Sequence, residues 1–86
     1  MLNKKEIEYN VMSLVSTWLF DANDVSHLTL ILTNDNAETT IDCNNLDEVV
    51  SQLSSVLINN SEKYTMATLV GVVGEKDKKF GELDII

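Results

Sequence analysis

The segment from Tyr64 to Val73 constrains the fold more than any other part of the chain, because it is apolar on both faces of an extended strand. Successive side chains of a strand point to opposite sides of a sheet. A strand with one wet face alternates apolar and polar residues. This segment breaks that rule: one side carries Tyr64, Met66, Thr68, Val70 and Val72, and the other carries Thr65, Ala67, Leu69, Gly71 and Val73. We therefore expect a central strand whose two faces are both shielded from water.

Two amphipathic helices are predicted. The first begins after the capping residue Asn3 and ends near Asp21 to Asp24, and the second begins after Asn45 and runs to Asn59 or Asn60. In both, a glutamate stands three positions after the cap, which is the pattern of a capping box. Each helix then repeats apolar residues every three or four positions, so that one side faces a core. These stripes are Ile7, Val11, Leu14, Val15 and Trp18, and Leu46, Val49, Val50, Leu53, Val56 and Leu57.

Two β-hairpins complete the pattern. The first alternates Leu28, Leu30 and Leu32 with more exposed positions, turns at 34–36, and returns over Glu38 to Cys43. The second consists of the strand from Tyr64 to Val73, a turn over 74–78, and a strand from Lys79 to the end. The sequence thus predicts one α+β domain over residues 1–86, in the order helix, hairpin, helix, hairpin (αββαββ). Its four-stranded antiparallel sheet carries both helices packed on one face.

The charge of the chain limits its partners. The formal net charge is −8, and all six basic residues are lysines. Arginine gives the planar, bidentate contacts on which phosphate recognition relies, and a negative domain is repelled by a phosphate backbone. We therefore expect no direct binding to nucleic acid, and we expect a protein partner, favoured where its surface is basic.

The location of the protein is predicted to be the cytoplasm. No stretch approaches the roughly 20 apolar residues that cross a bilayer, and the first 20 residues do not resemble a signal peptide. We expect no membrane association. The single cysteine, Cys43, allows no intrachain disulfide, which is typical of proteins from a reducing compartment.

No set of residues predicts catalysis, a metal or another cofactor. His27 is a lone histidine on an outward strand position, and Cys43 is predicted to be a buried structural thiol although a helix begins just after it. One cysteine and one histidine are too few for a zinc site. The cluster of Asp21, Asn23 and Asp24 lacks the glycine and distal glutamate of a calcium loop. The sequence therefore favours a protein that is not an enzyme.

A partner-binding surface is predicted on the sheet. If the helices cover one face of the strand from Tyr64 to Val73, the other face, with Ala67, Leu69 and Val73 and joined by Ile31, needs a cover. The cover is supplied by other side chains of this chain, by a second copy, or by a different protein. The open side should also carry acidic residues from the outer strands and the first turn, namely Asp35, Glu38, Asp42, Glu82 and Asp84.

An apolar centre with a charged edge is the anatomy of a protein-binding surface. The sequence therefore favours a small acidic module that inhibits or neutralises a larger protein, as phage anti-defence and immunity proteins do, including by charge mimicry of nucleic acid. Many asparagines and lysines without arginine or proline are compatible with a phage or mobile-element origin. The alternative is a homodimeric or larger homo-oligomeric structural or adaptor protein that uses the sheet face as its own interface.

Overall fold

The computed structural model describes residues 3–20, 22 and 25–85. In chain order these residues form α1 (Lys4–Trp18), β1 (Val25–Thr33), β2 (Glu38–Cys43), α2 (Leu46–Ile58), β3 (Met66–Val73) and β4 (Lys76–Asp84). All strand pairs are antiparallel. The predicted α+β class, with two helices and a four-stranded antiparallel sheet, is confirmed for the described part of the chain.

Both helices begin at the asparagine caps that the sequence predicts. The Oδ1 atom of Asn3 accepts a hydrogen bond from the backbone N–H of Glu6, and Asn45 Oδ1 accepts one from the N–H of Glu48, each at 2.9 Å. The first N–H groups of a helix have no partner within it, so each cap satisfies one of them. The first helix ends at Trp18, before the predicted end; Asp21, Asn23 and Asp24 lie outside the described residues.

The strand order of the sheet is β2-β1-β3-β4, so that β1 and β3 are central and β2 and β4 form the edges. The central position predicted for the third strand is therefore confirmed. Leu30 of β1 lies opposite Ile41 of β2 on one side and opposite Leu69 of β3 on the other. This register brings the apolar positions of three strands onto one face.

Short turns close the two hairpins. After β1, Asn34 Oδ1 accepts hydrogen bonds from the backbone N–H groups of Asn36 and Ala37, each at 2.7 Å. After β3, Gly74 takes a φ of +65° at the start of a two-residue turn, a conformation that glycine adopts without strain. Since this turn needs only Gly74 and Glu75, β4 begins at Lys76, inside the segment predicted to be a turn.

The hydrophobic core occupies one face of the sheet. Among its fully buried side chains are Leu30, Leu32, Ala67 and Leu69 from the central strands, Val15 from α1, and Val49 and Leu53 from α2. The first helix packs mainly against the second and reaches the sheet at β4, whereas α2 lies over β1 and β2. The predicted packing of both helices on one face of the sheet is therefore correct only in part. The helix α2 lies on this face, whereas α1 packs mainly on α2 and meets the sheet at its β4 edge; no described helix lies on the other face.

Two strand glycines permit close approaches in this core. A Cβ atom on Gly81 would overlap the indole of Trp18, which lies directly on the backbone of β4. A Cβ on Gly71 would lie 2.6 Å from the carbonyl oxygen of His27 and 2.7 Å from the ring of Phe80. Phe80 occupies a bulge in β4, next to Gly81.

Neither helix in residues 3–20 and 25–85 combines the length and the apolar character that crossing a membrane requires.

Candidate functional site

The face of the sheet opposite the helices is the candidate site, and we call it the open face. Its centre consists of alternate residues from the two central strands, all of them partly exposed: Thr29, Ile31 and Thr33 from β1, and Met66, Thr68, Val70 and Val72 from β3. Each of these residues has a neighbour across the strand pair, such as Thr29 opposite Val70 and Ile31 opposite Thr68. The centre is therefore a continuous surface of methyl groups and threonine hydroxyls.

Carboxylates line both outer strands of the open face. On β2, Glu38 and Asp42 lie opposite Thr33 and Thr29 of the centre. On β4, the corresponding side chains are Asp77, Glu82 and Asp84, opposite Val72, Thr68 and Met66. All five acidic residues are exposed. We call these two rows the acidic edges; they are about 14 Å apart, which is three strand spacings of about 4.8 Å.

Positive charge is nearly absent from the open face in the part of the chain that the structure describes. Lys79 lies on it, opposite Val70, and its Nζ contacts the carboxylate of Glu82. The other lysines lie on α1, in the loop before β3, or at positions of β4 that point to the helix side: Lys4, Lys5, Lys63, Lys76 and Lys78. Five acidic residues and one lysine therefore lie on the described open face, which carries a net negative charge.

His27 extends the centre of the open face at one end. It lies opposite Val72, and its Nε2 is 3.3 Å from Oδ1 of Asp42. The hydroxyl of Thr29 lies at the same distance from this oxygen and donates to it. The outward position predicted for His27 is confirmed, and Asp42 contacts His27 and Thr29 of β1 while its carboxylate stays exposed to solvent.

Three of the predicted partner-binding residues do not lie on the open face. Ala67 and Leu69 are fully buried beneath the helices, and Val73 points to the same side by strand alternation, partly exposed at the end of β3. The prediction assigned the two sides of β3 in reverse. On this side of the strand, a Cβ atom at Gly71 would meet the ring of Phe80 and the side chain of Val25, so the chain itself encloses it.

The other predicted site residues lie where the sequence placed them. Ile31 is in the centre of the open face, Glu38 and Asp42 are on one acidic edge, and Glu82 and Asp84 are on the other. Asp35 is exposed in the turn between β1 and β2. The sequence prediction missed Met66, Val70, Val72 and Asp77, although Thr68, between Met66 and Val70 on this side, was a signal of partial exposure.

Cys43 is buried at the end of β2, on the core side of the sheet. Burial, reinforced by the negative charges of Glu48 and Asp42, raises the pKa of its thiol above the ordinary value. Its Sγ donates a weak hydrogen bond to the carbonyl oxygen of Ile41 at 3.7 Å. A thiol in this setting stays protonated near neutral pH, so Cys43 is not an activated nucleophile.

The described residues give little evidence of a metal site or of a site for a small molecule. Within them, no three His, Cys, Asp or Glu side chains are grouped closely enough to hold a metal ion. A shallow groove on the helix side is lined by Ile7, Val11, Leu14, Leu57 and Leu83, with Asn10 as its polar member. It offers no charged group that would orient a substrate.

Comparison of the chain with protein families, with curated proteins and with solved structures finds no match. The open face therefore has to be interpreted from its own geometry and charge.

Proposed function

We propose that this protein is a small acidic binding module that inhibits or neutralises a larger protein by occupying a basic surface on it. One observation carries the proposal: the open face combines an apolar centre with two acidic edges, and no described helix covers it. Apolar cores with polar rims are typical of protein interfaces. The only lysine that the structure describes on this face contacts Glu82. The net charge of the open face is therefore negative and complements a basic partner surface.

A basic surface that normally holds nucleic acid fits this charge pattern. Phosphate-binding surfaces of proteins are rich in lysine and arginine, and a protein that offers carboxylates at similar places competes with nucleic acid for them. The apolar centre adds binding free energy that does not depend on salt. Such a module therefore blocks its target by occupying the binding surface, without chemistry of its own.

The alternative is a homo-oligomer that packs open face against open face, and the partly exposed centre favours it. The acidic edges oppose it, because a twofold axis places carboxylates of one copy next to carboxylates of the other. Light scattering at low and high salt separates the two proposals. We expect a monomer at every concentration in low salt, whereas a tight dimer there would favour the oligomer.

The test of the binding proposal is affinity capture with charge-reversed variants. In one variant Asp35, Glu38 and Asp42 are each replaced by lysine. In a matched control with the same change in net charge, Glu8, Glu62 and Glu75, which lie on α1 or in turns, are replaced by lysine. Circular dichroism first establishes that both variants are folded.

The expected result is a partner that the unaltered protein and the control capture in stoichiometric amount and that the open-face variant loses. The partner should also lose nucleic-acid binding or another activity when the module is added. Equal capture by the two variants would remove the proposal, because binding would then not depend on the acidic edge.

A further inference from the structure

We infer that the occupant of the open face is a basic amphipathic α-helix of the partner protein, an inference that rests on the proposed function. It follows from the shape of the surface and from the placement of charge across it. The apolar centre is two strands wide, and both of its long sides are acidic.

The width of the centre matches one helix. A helix with its side chains is about 10–12 Å in diameter. Lying along β1 and β3, it fits between the acidic edges, which are about 14 Å apart. Its apolar stripe then contacts Ile31, Val70 and Val72. Lysine or arginine side chains on its two flanks reach Glu38 on one edge and Asp84 on the other.

The length of the centre also matches. The eight residues of β3, Met66–Val73, extend over about 26 Å at 3.3 Å per residue. A helix rises 1.5 Å per residue, so about 17 residues, or nearly five turns, cover this distance. The chain already packs its own helices on the opposite face of this sheet, and a partner helix would complete a third layer.

Other occupants fit this surface less well. A second copy brings its own acidic edges against these, and a nucleic acid is repelled by them. An extended peptide joins a sheet by backbone hydrogen bonds at an edge strand, which is β2 or β4 here, and leaves the face uncovered. A helix with an apolar stripe and basic flanks is the partner whose chemistry matches both the centre and the edges.

The test uses a synthetic peptide as the probe. A fluorescently labelled 17-residue peptide of leucine and lysine places its leucines on one helical face and its lysines on the flanks. A control peptide of the same composition has the leucines spread around the helix. We expect the amphipathic peptide to bind at least tenfold more tightly by fluorescence anisotropy, with a gain of helical circular dichroism.

Variants of the protein locate the binding site. Replacing Val70 by lysine puts a charge in the centre and should weaken binding more than tenfold. Replacing Glu38 by glutamine and Asp84 by asparagine removes one exposed charge from each acidic edge and should weaken binding about fivefold. A matched control, Glu8→Gln with Glu62→Gln, should leave the affinity unchanged. If the Val70→Lys variant does not fold, the variant with Glu38→Gln and Asp84→Asn still tests the binding site.

Three outcomes overturn the inference. The first is equal affinity for the two peptides, and the second is an NMR shift pattern confined to the helices or to the outer backbone of β2 and β4. The third is a captured partner that contacts the open face without a basic helix. This outcome contradicts the helix inference but leaves the proposed function standing. Equal capture of a partner by the two charge-reversed variants, described above, removes both the proposed function and the helix.

Discussion

Ser54 places a hydroxyl group inside the packed side of α2, at 2% exposure. Its Oγ has no hydrogen-bond partner in the described structure. A buried polar atom without a partner loses its hydration and gains nothing in return, at a cost of about 1–3 kcal/mol. We expect Ser54→Ala to raise the free energy of unfolding by about 1 kcal/mol, measured by urea denaturation.

The control for this prediction is Ser55→Ala, one position along the same helix and exposed to solvent. Both substitutions gain the helix propensity of alanine, about 0.5 kcal/mol. Only Ser54→Ala also removes a buried unpaired group. If the two variants are equally stable, the Ser54 hydroxyl is satisfied in solution and the prediction is wrong.

Cys43 should make stability depend on pH in the alkaline range. Burial raises the pKa of its thiol in the folded state, so the unfolded chain loses the thiol proton at lower pH than the folded chain does. The stabilisation is fully present below the ordinary thiol pKa of the unfolded chain and is lost as pH rises through the higher folded pKa.

A comparison with Cys43→Ala isolates this effect. The stability difference between the protein and the variant should shrink as pH rises from 8 to 10, as measured by urea denaturation at each pH. The native thiol should also react with a disulfide reagent at pH 8 far more slowly than the thiol of the urea-unfolded chain. A constant stability difference across this range would contradict the assignment.

At the scale of elements, the contact between Trp18 and Gly81 fixes α1 against β4. The indole occupies the space that a Cβ atom would need. We expect Gly81→Ala to lower the free energy of unfolding by about 3 kcal/mol, because overpacking forces the helix or the strand to move. Thermal and urea unfolding measure the loss.

A double-mutant cycle shows whether the clash is the cause. Trp18→Leu alone should also destabilise, but Gly81→Ala should cost much less in the Trp18→Leu background. Additive effects would mean that the alanine acts on the backbone of β4 rather than on the indole.

Local signals in the sequence predict the elements well. The caps at Asn3 and Asn45 depend on neighbouring residues only, and both helices start where they were predicted to start. The end of α1 and the start of β4 were misplaced. The polar residues Lys76 and Lys78 resemble a turn, yet charged residues are common on an edge strand, where they discourage pairing with other chains.

Local sequence signals could not decide which side of β3 faces the helices. Both of its sides are apolar, and the side that faces the helices is set by its register with β1. These two strands are separated by a helix and a strand, so no tight turn fixes their pairing. The acidic edge on β2, by contrast, was predictable because β2 alternates clearly between Glu38 or Asp42 and the inward Ile41.

At the scale of the whole molecule, the two halves of the chain cover each other. In the first half, α1 reaches the sheet at β4, which belongs to the second half. In the second half, α2 lies over β1 and β2 of the first. The central pair of strands, β1 and β3, also joins one half to the other. Neither half can therefore bury its own apolar surface alone.

We expect the fragments 1–43 and 44–86 to be unfolded when separate and to regain the native circular dichroism spectrum when mixed. Fragments of this size seldom fold without added cross-links or a partner. The urea transition of the intact chain should be a single step, because the halves share one core. A cooperative thermal transition in either isolated fragment would show that the halves are independent.

Trp18 is the only tryptophan of the chain, and it lies between α1 and β4, away from the open face. Its intrinsic emission therefore monitors the docking of the first helix without a label. A ligand on the open face should leave that emission nearly unchanged, while loss of the helix should shift it to the red. Binding at the open face, followed by the anisotropy of the labelled peptide, and docking of α1, followed by the emission of Trp18, can thus be recorded as two separate optical signals from one sample.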